Sequence, residues 1–234
     1  MKELSRRNFV SNAAAAAGLA AFTAAPSALH AQLIDKTGDW RLSDFHRLVQ
    51  TPARMKQVYD VIPIGSGKFL NNIKNSLNGL HFGFGFSMSQ IQLVAALHGP
   101  SNLMNYDDYV WEKYRIGEWV QVDDPKTGKP ATRNIFYSSQ TPRFASQDPE
   151  SEGSLYQNTS IEVLQSRGVR FLSCHTASEE QSRALIERMH LSQKPDEVVN
   201  DWQAHTIPGV LVVASMVAAI AVLQCDGHYS YITV

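Results

Sequence analysis

From residue 54 onward, short runs rich in β-branched and aromatic residues alternate with stretches in which apolar residues recur every three or four positions. This alternation predicts an α/β fold with a mainly parallel sheet. A strand buried on both faces gives a near-continuous apolar run, and a crossover helix gives one apolar stripe. The first unit is a strand from Lys56 to Ile62, a turn at Pro63-Ile64-Gly65-Ser66-Gly67, and a helix with Phe69, Ile73, Leu77 and Leu80 on one face. A glycine-aromatic connection, His81 to Phe86, leads to a second strand from Ile91 to Leu97, which His98-Gly99-Pro100-Ser101 ends.

Residues 115–157 break the rhythm. Trp119 to Val122 and Ile135 to Tyr137 flank Asp124-Pro125-Lys126-Thr127-Gly128-Lys129-Pro130, which is hairpin turn chemistry, so this stretch is expected as a solvent-exposed, hairpin-like insertion. The pattern resumes at Thr159, where Glu162 three residues on suggests a capping box and a short helix to Ser166. Gly168 stops that helix before a strand from Val169 to Cys174. The next helix is expected near Ser178, with Glu179 and Glu180 in its first turn. Val210 to Val213, a helix from about Ser215 to Asp226, and Tyr229 to Thr233 complete five candidate strands with helices on both faces, a flavodoxin-like layering. Before all of these, Gln32 to Pro52 reads as a polar lead.

The first residues change the picture. Lys2, Arg6 and Arg7 precede an uncharged, alanine-rich stretch to about Pro26 that is too short to span a bilayer stably. Ser5-Arg6-Arg7-Asn8-Phe9-Val10 resembles the twin-arginine export consensus, and Ala28-Leu29-His30-Ala31 offers a small residue for cleavage before Gln32. The chain is therefore expected as a signal peptide, 1–31, followed by a single α/β domain, 32–234, that is periplasmic after cleavage. The formal net charge is −1, and residues 1–31 carry three basic groups and one acid, so the mature part is also acidic. That balance gives no electrostatic case for nucleic acid or an anionic membrane. No later apolar run is long enough for membrane insertion, Ser215 interrupting the greasiest one.

Ligand sites of open α/β sheets lie beyond the carboxyl ends of the strands. Gly65-Ser66-Gly67, His98-Gly99-Pro100-Ser101, Cys174-His175-Thr176 and Ala214-Ser215 arrive at that rim. A thiol just before a helix N-terminus sits in positive potential, which favours thiolate, whereas Glu179 and Glu180 oppose it. Cys174 is the candidate nucleophile, with buried core cysteine as the ordinary alternative. His98 and His175 are the rim groups suited to proton transfer, although a residue next to Cys174 along a strand need not share its site. Without a CxxC or HExxH spacing, these histidines read as hydrogen-bonded loop residues, and no metal or cofactor is called for. Gly65-Ser66-Gly67-Lys68 lacks the first glycine and the hydroxyl of a phosphate loop. Cys225 falls ~15 Å down a helix that starts at the same rim, too far for a disulfide with Cys174.

Gly168-Val169-Arg170-Phe171-Leu172-Ser173-Cys174 and Leu223-Gln224-Cys225-Asp226-Gly227-His228-Tyr229-Ser230-Tyr231-Ile232 resemble the DsrE/DsrF-like proteins, as do Asn71 to Leu80 and Val94 to Gly99. The resemblance covers residues 54–113 and 158–234. It implies a five-stranded parallel sheet, a homo-oligomer and, in the sulfur-relay members, a persulfide-carrying cysteine that aligns with Cys174. Met216 stands where that pattern has glycine, and the insertion exceeds its usual connection. Two functions follow as expectations. One is an exported protein handling sulfane sulfur through a Cys174 persulfide, with a thiol protein or small sulfur compound as partner. The other is a non-catalytic periplasmic ligand-binding or assembly module using the same rim. Whether the chain is an enzyme stays open at this point.

Overall fold

Seven strands and eight α-helices follow one another through residues 42–140 and 142–234, which a computed structural model of the chain describes. All of these residues belong to one unit, 36–234, and the segment expected as a twin-arginine signal peptide, 1–31, lies outside the described residues. The order is α1 (Leu42–Val49), β1 (Met55–Val61), α2 (Lys68–Asn78), β2 (Ile91–Leu97), α3 (Asp108–Lys113), α4 (Ile116–Trp119), β3 (Asp123–Asp124), β4 (Lys129–Pro130), α5 (Ile161–Ser166), β5 (Arg170–Cys174), α6 (His175–Met189), α7 (Pro195–Ala204), β6 (Leu211–Val213), α8 (Met216–Cys225) and β7 (Ser230–Thr233).

Five strands form one sheet in the order β6-β5-β2-β1-β7, and every pairing is parallel. Side chains alternate between two apolar layers. Tyr59, Val61, Leu93, Ala95, Leu97 and Phe171 face α2, α3, α5 and α7. Val58, Val94, Ala96, Leu172 and Val213 face α1 and α8 on the other side. The layering is thus flavodoxin-like, helices over both faces of a parallel sheet. Ile73 and Leu93 are fully buried in the first layer, and such a side chain contributes about 1.5–3 kcal/mol relative to exposure.

Several local expectations need correction. The polar lead contains a helix, because Phe45, Leu48 and Val49 share one face and bury against the sheet. The insertion is not a solvent-exposed excursion, since Ile116, Ala131, Asn134, Phe136 and Ser154 are buried. Asn134 fastens it: its Nδ2 donates to the Met104 and Tyr106 carbonyls at 2.8 Å each, its N–H donates to Asp108 Oδ1, and its Oδ1 accepts the Phe136 N–H. A hairpin does form, but its ladder is β3 with β4 inside the expected turn segment. Trp119 instead closes α4, and Gln121, at φ 56°, turns the chain before a strand can extend. Ser160 caps α5 rather than Thr159, while Glu162 accepts the Ser138 N–H and so ties the helix to the insertion.

Candidate functional site

Four connections meet at the carboxyl rim, and the structure orders the predicted residues along it. Cys174 is the last residue of β5 and the N-cap of α6. The helix begins at His175, three residues earlier than the apolar pattern suggests, because the Cys174 sulfur accepts the Ala177 N–H and replaces the missing cap. Glu179 and Glu180 consequently fall in the second turn of α6, not the first. The side chain of Cys174 faces α8, where the Met216 N–H donates to Sγ at 3.4 Å. Two helix starts therefore direct main-chain N–H groups at one sulfur. Met216 itself is buried in the same apolar layer and fills the space beside the thiol.

Burial and the amide donors oppose each other. Cys174 is only 5% exposed. Desolvation pushes its thiol pKa up, the N–H groups of Ala177, Met216 and Thr176 pull it down, and Glu180 adds a smaller upward push; burial wins. The resting group is accordingly a neutral thiol, whereas the helix N-terminus alone would favour thiolate.

No family model, curated protein or solved structure matches the chain.

His98 and His175 are both engaged elsewhere. His98 follows Leu97 in extended backbone, so it falls in the phase of Ala96, on the same sheet face as Cys174. Leu97 pairs with Ser173 at the end of the β2–β5 ladder, so His98 and Cys174 each follow the last paired residue of adjacent strands. Its ring, however, leans the other way: Nε2 lies 2.6 Å from Asp60 Oδ1, and Asp60 Oδ2 accepts the Tyr231 hydroxyl. His175 lies on the α7 side, where Nδ1 accepts from Gln203 Nε2 at 2.9 Å and Nε2 lies 3.3 Å from Glu179 Oε1. Among the described residues no hydrogen bond joins either histidine to the sulfur. The rim thus brings Cys174 and His98 side by side along the strands and carries His175 away. His205 pairs with Asp107 and stacks on Tyr109, outside this set. Among the described residues no group of three or more His, Cys, Asp or Glu side chains is arranged for a metal ion.

Asn102 is the rim residue that pattern reading misses. It is fully buried. Its Oδ1 accepts the Cys174 N–H at 2.8 Å and the Ser173 hydroxyl at 2.9 Å, and its Nδ2 donates to Ser178 Oγ at 3.0 Å. Ser178 Oγ lies 2.7 Å from the Tyr106 hydroxyl and donates to the Cys174 carbonyl. The loop after β2 is in this way bolted to the backbone of Cys174 itself. Only the run Gly99-Pro100-Ser101-Asn102 could have hinted at it, and polar residues after a strand ordinarily signal a solvated turn.

Proposed function

We propose that the protein accepts sulfane sulfur on Cys174, in the manner of the DsrE/DsrF-like proteins its sequence resembles, after export to the periplasm. The observation that carries this reading is the pair of main-chain donors, Ala177 N–H and Met216 N–H, directed at Sγ from two helix starts. Such donors stabilise negative charge on sulfur as it develops, whichever sulfur species forms there. In the transfer the Cys174 sulfur attacks the outer sulfur of a persulfide donor, the donor's S–S bond breaks, and the departing donor sulfur takes up the proton that Cys174 loses. A partner thiolate then attacks the outer sulfur of the Cys174 persulfide and Cys174 leaves as thiolate, so no external oxidant or reductant is consumed. The partner is a thiol protein or a small sulfur compound, and a homo-oligomer is the form the resemblance implies.

The burial of Cys174 favours a second reading, a non-catalytic ligand-binding or assembly module on the same rim. One experiment separates the two. Protein carrying Cys225→Ser is exposed to polysulfide and its mass measured, with Cys174→Ser added as control. Gain of one sulfur atom that vanishes with Cys174 supports sulfur handling, and an unmodified Cys174 sinks it in favour of the binding module.

A further inference from the structure

The sheet grows in one direction from β1 to β2, β5 and β6, and the crossover through α8 then reverses it, returning the chain to β7 on the far side of β1. The carboxyl ends of strands at such a reversal are where open α/β sheets bind ligands. Tyr231 of β7, Asp60 of β1 and His98, just past β2, stand there in strand order, on the sheet face that also carries Cys174 at the end of β5. We propose that Asp60 and Tyr231 hold His98 as the proton acceptor for the Cys174 thiol, an inference that rests on the sulfur-handling reading.

The hydrogen bonds fix which ring nitrogen is free to act. An ionised carboxylate only accepts, so Nε2 of His98, 2.6 Å from Asp60 Oδ1, carries the ring proton and Nδ1 keeps its lone pair. The Tyr231 hydroxyl donates to Asp60 Oδ2, which fills both carboxylate oxygens and steadies the pair from the neighbouring strand. Asp60 has no lysine or arginine partner among the described residues, so its charge is committed to the imidazole. Nδ1 makes no hydrogen bond among the described residues, and the His98 side chain keeps 18% of its surface exposed. His175, the other imidazole at this rim, has both nitrogens engaged. Cys174 supplies the need for an acceptor, because burial holds its proton while the Ala177 and Met216 N–H groups can steady charge on sulfur but take no proton. Nδ1 receives the Sγ proton, directly or across one water, as the sulfur attacks the outer sulfur of a persulfide. The ring then hands that proton to the departing donor sulfur and returns to its neutral form, so protons and electrons balance without a further reagent. Asp60 and Tyr231 are positioning residues in this scheme, as the carboxylate is in a serine-histidine-aspartate triad.

The test is the rate at which polysulfide adds one sulfur to Cys174, followed by quenched mass measurement in the whole chain carrying Cys225→Ser. His98→Ala and Asp60→Asn should each slow it about a hundredfold, the lower range for loss of a general base, and Tyr231→Phe severalfold. Imidazole added to His98→Ala restores part of the rate, which a loss of packing would not allow. His205→Gln, on a histidine paired with Asp107 outside this set, leaves the rate unchanged. Nitrogen-15 NMR of the unaltered chain should find the His98 proton on Nε2, an observation that needs no variant to fold. A His98→Ala rate equal to the parent's, a rate that imidazole does not raise, or a ring proton on Nδ1 overturns this inference and leaves sulfur handling standing. A parent that takes up no sulfur overturns both.

Discussion

Replacing Asn102 with alanine removes the acceptor of the buried Cys174 N–H and of the Ser173 hydroxyl, and the donor to Ser178. Ser178 keeps Tyr106 and the Cys174 carbonyl, and Ser173 can turn to the Tyr106 hydroxyl. The N–H of Cys174 has no such recourse. One orphaned buried donor together with weakened neighbours amounts to about 3 kcal/mol, an unmade buried hydrogen bond costing about 1–3 kcal/mol by itself. For a chain of this size that lowers the melting temperature by about 6–12 °C. Urea unfolding measures it, with Ser178→Ala as control at about 1 kcal/mol, because that change leaves the Cys174 N–H paired. Alkylation of Cys174 in native buffer gives a second readout. If the thiol reacts only on opening, a loss of ~3 kcal/mol speeds it about a hundredfold. A urea midpoint within about 1 kcal/mol of the parent, with unchanged alkylation, would refute the view that Asn102 holds the rim together.

Three further outcomes are expected. Cys225 is exposed and Cys174 buried, both free, so in native buffer iodoacetamide labels Cys225 quickly and Cys174 much more slowly; two equally fast thiols contradict the burial. Because the folded state holds the Cys174 proton more tightly than the unfolded chain does, the stability this gives is complete below the ordinary thiol value of ~8.5 and drains away as pH rises through the raised folded value. The urea midpoint should therefore fall more steeply in that alkaline range than it does for Cys174→Ser, and parallel pH profiles would count against it. Gly67→Ala should destabilise by about 2 kcal/mol, since Gly67 sits at φ 73° and an added Cβ would lie 2.8 Å from the Phe136 ring. Part of that loss returns in the double variant with Phe136→Leu, and strict additivity would show that the contact is immaterial.

The central strands of the sheet were legible because they are largely buried on both faces and bounded by turn residues, as Ile91 to Leu97 between a glycine-aromatic loop and His98-Gly99-Pro100 illustrates. Strand order followed from no local signal, since pairing of Gln57 with Ser230 is a property of the whole chain. At the rim, sequence placed Cys174, His98 and His175 on the right connections but could not say which way each side chain turns. Asp60 and Tyr231 draw the His98 ring toward β1, and Gln203 draws His175 toward α7, partners supplied by distant segments. The insertion was misjudged for a related reason. Its polar composition suits solvent, yet Asn134 spends that polarity on backbone carbonyls inside the fold.

The place of β7 beside β1 governs how this chain has to assemble. Residues 57–60 are made early, but residues 230–233, which pair with them, are the last strand of the sheet to be synthesised. Until then β1 carries an open edge of N–H and C=O groups, and joining it requires closing nearly the whole chain on itself, a slow step by its sequence separation. Lys56 and Asp60 put charge on that waiting edge, a feature that discourages pairing with another nascent chain. Loss of β7 would leave every other strand paired and the sheet nonetheless adhesive, so self-association rather than unfolding is the failure built into this topology.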